Sequence, residues 1–206
     1  MIKLKLNKAE AVLLVWDMTE TIDELKLKLQ NFNDYVSEFS TITTAKRQKE
    51  FLCTRLLVNE LHGHPMLVSY DKDGKPVLTN SEAYISFTHS ANWVGVIYHQ
   101  NARVGIDMEC PTDKILKVAS RFCSEEEKTY FHVPDNRDEL LLVWCAKETV
   151  FKIIGSPVTD FAKTMQVLPF QTEDSGVFKL KLLNENKILD IHYFRTLNYT
   201  LTYCIL

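Results

Sequence analysis

At 206 residues, with 46% hydrophobic and 25% charged side chains, the chain can build a substantial core and lacks the polar bias of a disordered segment. A net charge of −3 argues against broad nucleic-acid binding, and no apolar run approaches the roughly 18 residues that span a bilayer. MIKLKLNKAE alternates Lys with Ile and Leu where an export leader would be continuously apolar, so a cytoplasmic location is expected, with neither membrane nor nucleic acid as partner. Cys53, Cys110, Cys123, Cys145 and Cys204 are odd in number and form no C-x-x-C pair, which argues for reduced thiols over a disulfide framework or zinc site.

In chain order, IKLKL and AVLLVW read as strands and FNDYVSEF as a short helix. TTAKRQKEFLCTRLLVNELHG reads as a long helix with Phe51, Leu52, Arg55, Leu56 and Asn59 at helical spacing, stopped by Gly63 and Pro65. MLVSY precedes a DKDGKP turn, and YISFTH, WVGVIYH and RVGIDME follow as strands expected to form one meander. PTDKILKVASRF reads as an amphipathic helix. Ser124 and Glu127 make an S-x-x-E capping box, and NRDELLLVWCAKETVFKIIG is a second long helix ended by Gly155 and Pro157. The tail returns to strands. ISFTHSANWVGVIY aligns without gaps to IHYFRTLNYTLTYC, and a long helix precedes each, which points to an α+β chain of two similar halves, residues 1–102 and 103–206.

VGIDMEC puts Asp107 and Glu109 on one face of a strand, roughly 6 to 7 Å apart, with Ile106 and Met108 facing oppositely. Two carboxylates that close resist joint ionisation unless a cation or several donors accompany them. On the second long helix Leu140, Trp144, Lys147, Glu148, Phe151 and Ile154 fall on one stripe, interrupted by two charges. Heads at the stripe's edge in solvent are the ordinary reading of such charges. Glu148 with Lys152 at i+4 also makes a third carboxylate available beside a lysine. Three carboxylates are hard oxygen donors of the kind Mg²⁺ takes, with waters and substrate phosphates completing its shell.

The ordered set Gly74-Lys75-Pro76, THS at 88–90 followed by Trp93, GIDME at 105–109, RFCSEEE at 121–127 and WCAKETVFKIIG at 144–155 resembles the motifs of the 4′-phosphopantetheinyl transferases, specifically their longer, monomeric type. Thr88 stands where that family usually has Ser. The resemblance implies two similar α/β halves about a pseudo-twofold, with coenzyme A and Mg²⁺ in the cleft between them. It implies transfer of the phosphopantetheine arm to a serine of an apo acyl or peptidyl carrier protein, releasing adenosine 3′,5′-bisphosphate. By matched position Asp107, Glu109 and Glu148 bind Mg²⁺, Lys152 contacts the pyrophosphate, and Glu148, Lys152 and Asp107 carry the catalysis. Arg47 and His89 meet the 3′-phosphate, Lys75 lies by the nucleotide, and Lys147 is a further coenzyme contact. A magnesium phosphohydrolase would explain neither G-K-P nor T-H-S, and a non-catalytic coenzyme A or carrier-binding module stays open as the alternative.

Overall fold

The computed structural model describes residues 1–133, 136–155 and 160–206. Pro157, assigned above to a helix stop, lies outside the described residues. The chain divides into two compact units, Met1–Arg103 and Val104–Leu206. Among the described residues no helix is long and apolar enough to cross a membrane.

In the first unit β1 (Ile2–Lys8) and β2 (Ala11–Asp17) form an antiparallel hairpin. The helix α1 (Ile22–Lys28) opens on a capping box in which Thr21 and Glu24 satisfy each other's backbone N–H groups. The segment read as one short helix is a 3₁₀ turn at Phe32–Tyr35 followed by α2 (Val36–Ser40). The long helix α3 (Ala45–His62) starts at the N-cap Thr44 and ends at Gly63, whose φ of 71° is the left-handed conformation a helix-ending glycine supplies. It packs on β2 and on β6. The strands β3 (Val68–Tyr70), β4 (Pro76–Leu78), β5 (Tyr84–Ser90) and β6 (Trp93–His99) complete a sheet of order β1-β2-β6-β5-β4-β3.

In the second unit β7 (Val104–Glu109) leads into α4 (Lys114–Val118), shorter than the amphipathic helix expected, with a 3₁₀ turn over Ala119–Arg121. α5 (Glu125–Tyr130) opens on the predicted Ser124–Glu127 capping box. α6 (Arg137–Ile154) ends at Gly155, whose N–H bonds Phe151 O at 2.7 Å. After α7 (Phe161–Thr164) come β8 (Met165–Val167), β9 (Ser175–Leu182), β10 (Lys187–Arg195) and β11 (Thr200–Ile205), in the order β7-β11-β10-β9-β8. The expected three-strand meander is therefore corrected. β6 already pairs with β5 and β2, while β7 pairs with β11 in the other sheet. Alternation identifies a strand but carries no label for its neighbour.

The two hairpins matched in sequence share their pairing register. His89 faces Val94 and Phe87 faces Val96 in one; Arg195 faces Thr200 and Tyr193 faces Thr202 in the other.

Candidate functional site

Strand β7 and helix α6 build the acidic site. Gly105 makes their approach possible, because a Cβ there would stand 2.3 Å from Thr149 O and 2.7 Å from Ile153 Cγ1. Only a residue without a side chain lets the helix backbone lie directly on the strand. The hydroxyl of Thr149, a wholly buried residue, donates to Thr202 O at 3.1 Å and lies 2.7 Å from the Thr202 hydroxyl, and Thr202 is the partner of Asp107 across the β7–β11 pair. The helix runs along the strand with Ile153 beside Gly105, Lys152 at Asp107 and Trp144 at Glu109.

Gly105, Asp107 and Glu109 face α6, and the alternate residues Ile106 and Met108 are buried. The ammonium of Lys152 donates to Asp107 Oδ1 at 2.7 Å and to Ile106 O at 2.8 Å. This is the positive group that the paired carboxylates call for. Trp144 Nε1 donates to Glu109 Oε1 at 3.4 Å. Glu148, half-buried, has its pKa pushed up to about 7 by burial first and then by the charges of Asp107 and Glu109, with Lys152 pulling the other way. The strand's pair and the helix's carboxylate thus share one field.

Among the described residues no three His, Cys, Asp or Glu side chains stand together as a ready-made metal cage. Magnesium does not require one, since it commonly takes one or two carboxylates and completes its shell with waters and phosphate oxygens. The donor chemistry fits it in that manner. Asp107 and Glu109 raise the proton affinity of Glu148, a repulsion that a divalent cation would relieve.

Lys147 is placed differently from the expectation. Neither the solvent-exposed head read from the helix stripe nor a coenzyme contact describes it. Its side chain is 0% exposed and pairs with Glu127, 1% exposed, at 2.7 Å. Its ammonium also donates to Phe122 O at 2.7 Å and Met165 O at 2.9 Å. Glu127 in turn accepts from the backbone N–H of Ser124 and of Val167, both at 2.7 Å. The physical reason is that α6 packs against α4 and β8 as well as β7 and β11. Leu142, Val143, Ala146, Thr149, Val150 and Ile153 are buried, and the stripe predicted to face the core instead keeps Trp144, Glu148, Phe151 and Ile154 partly exposed.

The basic candidates belong to the first unit. Arg47, in the first turn of α3, and His89, near the end of β5, are brought together with Arg47 Nη1 at 2.7 Å from His89 Nε2. Lys75 sits in the turn joining β3 to β4, where Asp71 Oδ1 accepts from Lys75 N at 2.9 Å and Gly74 has φ 77°. Sequence reasoning missed Glu50, whose buried carboxylate takes a bond from Arg47 Nη1 at 2.8 Å. The signal was present as Arg and Glu at i, i+3 on one helix face. The cysteines are free, and burial pushes the thiols of Cys53, Cys123 and Cys204 up to about 12 and that of Cys145 well above its ordinary value.

A mixed α+β unit with a D-x-E strand held against a K-E-x-x-x-K helix is thus defined from its geometry. Residues 103–204 match the family model of the 4′-phosphopantetheinyl transferase superfamily, and the match spans the second unit. The match takes in GIDME, RFCSEEE and WCAKETVFKIIG, while G-K-P and T-H-S lie before it. No curated protein matches the chain.

Proposed function

We propose that this protein moves the 4′-phosphopantetheine arm of coenzyme A onto a serine of an apo acyl or peptidyl carrier protein, with Mg²⁺ and with release of adenosine 3′,5′-bisphosphate. The observation that carries the reading is the Asp107–Lys152 pair beside Glu109 and Glu148 inside the matched domain. The shared hairpin register supports the longer, monomeric architecture of two similar halves.

In this reading Asp107, Glu109 and Glu148 hold Mg²⁺, which when bound supplies positive charge against the diphosphate. Lys152 brings three donors to the same place and stabilises the charge that builds on the departing bisphosphate. Attack by the serine requires a proton acceptor, and Glu148, which α6 brings to Asp107 and Glu109, is assigned that role. Arg47 and His89 bind the 3′-phosphate, and Lys75 lies by the nucleotide. Lys147 acts inside the protein, through Glu127. On α4 and the turn after it Lys114, Lys117 and Arg121 are exposed, while Ile115 is buried and Leu116 and Val118 pack on the core. That leaves a basic face for an acidic carrier.

Incubation with coenzyme A, Mg²⁺ and an apo-carrier domain should add the mass of the phosphopantetheine arm to the carrier. Asp107→Ala, Glu109→Ala and Glu148→Ala should abolish transfer and stay folded, because removing one anion from the group relieves repulsion. Coenzyme binding without transfer by the unaltered protein would favour the non-catalytic alternative.

A further inference from the structure

Three exposed basic side chains converge on one buried carboxylate in the first unit. The side chain of Glu50 is 4% exposed, and its Oε2 accepts from Arg47 Nη1 at 2.8 Å. Its Oε1 lies 3.5 Å from His89 Nδ1 and 3.7 Å from Lys46 Nζ. Arg47 Nη1 also stands 2.7 Å from His89 Nε2. A carboxylate withdrawn from water that far is tolerated because Oε2 is hydrogen-bonded and Oε1, which makes no hydrogen bond among the described residues, faces the other two basic side chains.

The chemistry of the donors fixes the arrangement further. A guanidinium has no acceptor, so Arg47 donates and His89 Nε2 accepts. The proton of the neutral ring is then on Nδ1, the nitrogen that faces Glu50. Glu50 thus holds Arg47 by a hydrogen bond, and His89 through Arg47 and through a charge contact at 3.5 Å, since its Oε1 makes no hydrogen bond among the described residues. Both described side-chain contacts of Arg47 run through Nη1, which leaves the Nη2 donors for an outside acceptor. The guanidinium of Arg47 at the surface, braced by His89 and with Lys46 beside it, suits a terminal phosphate, which offers several acceptor oxygens to a forked donor.

We infer that Glu50 is a positioning residue that presets Arg47, braced by His89, for a phosphomonoester, and so sets the preference for a 3′-phosphorylated nucleotide. This rests on the coenzyme A reading above. The contribution comes from preorganisation. A long charged side chain loses rotamer freedom when fixed, and Glu50 removes part of that loss before the ligand arrives.

Calorimetric titration with coenzyme A and with its 3′-dephospho form separates the cases without reliance on turnover. Wild-type protein should prefer coenzyme A, and Arg47→Met should erase the preference. Glu50→Gln places an amide donor where His89 presents its own N–H, so it should weaken coenzyme A binding about tenfold or more, roughly 1.4 kcal/mol per decade, and move the dephospho form less than twofold. Glu50→Asp should recover part of the loss. Equal binding of both ligands by wild type would reject the 3′-phosphate reading itself. Discrimination lost in Arg47→Met but kept, or strengthened, in Glu50→Gln would overturn the role of Glu50 alone. Should the variants not fold, the ¹⁵N shifts of His89 in the wild-type protein still decide: the Nδ1–H tautomer is expected, and the Nε2–H tautomer refutes the arrangement.

Discussion

Replacing Lys147 with Met tests whether this lysine is an internal strut. Methionine has similar length and no charge, so the change removes one ammonium from a site with no access to water. Glu127 would keep its two backbone donors, Ser124 N and Val167 N, but lose its counter-charge while 1% exposed. The carbonyls of Phe122 and Met165 would lose their donor as well. Breaking one side of a buried pair costs about 3 to 5 kcal/mol, because the remaining charge is stranded. Glu127→Gln should cost less, since the lysine keeps two carbonyl acceptors and burial already lowers its pKa, which eases loss of its proton. The double variant Lys147→Met with Glu127→Gln removes both charges and should be more stable than the sum of the single losses implies, by roughly 0.5 to 3 kcal/mol. Urea unfolding followed by the fluorescence of Trp144, whose ring centroid lies 5.1 Å from that of Phe122, reads the second unit directly. A loss under about 1 kcal/mol for Lys147→Met, or strict additivity, would refute the strut and return Lys147 to a coenzyme-binding role.

Three further outcomes are expected. Gly105→Ala drives a methyl group into Thr149 O and Ile153, and should destabilise the protein by roughly 1 to 3 kcal/mol in the same urea assay; an unchanged midpoint would mean that α6 is not seated on β7 by this glycine. Glu148 has a folded pKa of about 7 against an ordinary 4.5, so the fold favours its neutral form. The stability is fully present below pH 4.5 and falls as pH rises through 7 in metal-free buffer, by less than the roughly 3 kcal/mol of the full shift because solvent screens the partly exposed group; Glu148→Gln should flatten that slope, and an identical pH profile in the variant would reject the raised pKa. Reversing the exposed Lys117 and Arg121 to Glu should slow transfer to an acidic carrier, most strongly at low ionic strength, and leave calorimetric coenzyme A binding unaltered; unaltered carrier kinetics at low salt would move the docking face elsewhere.

What the sequence determined by itself is what depends on local geometry. A period of two put Asp107 and Glu109 on one face of β7 with Ile106 and Met108 opposed, whatever the strand later paired with. The Ser124–Glu127 capping box and the glycine stops at Gly63 and Gly155 rest on neighbouring backbone groups, and each formed where it was read. The Thr21–Glu24 box was equally legible and went unread. Long-range partners were decided by the tertiary structure. Hydrogen-bonding edges of strands are alike, so nothing in RVGIDME says that its neighbour is β11 and not β6. Lys147 looked like a charge at the edge of a helix stripe because its partners, Glu127, Phe122 and Met165, are distant along the chain and meet only when α5 and β8 close over α6. The approach of His89 to Glu50 was hidden for the same reason, since His89 comes from a strand across the fold of the first unit. Periodicity ranks side chains by the face they occupy, but a charge becomes a strut, a ligand or an ordinary solvated group according to which opposite charges and carbonyls packing brings within about 3 Å of it, and that distance is set by the whole fold.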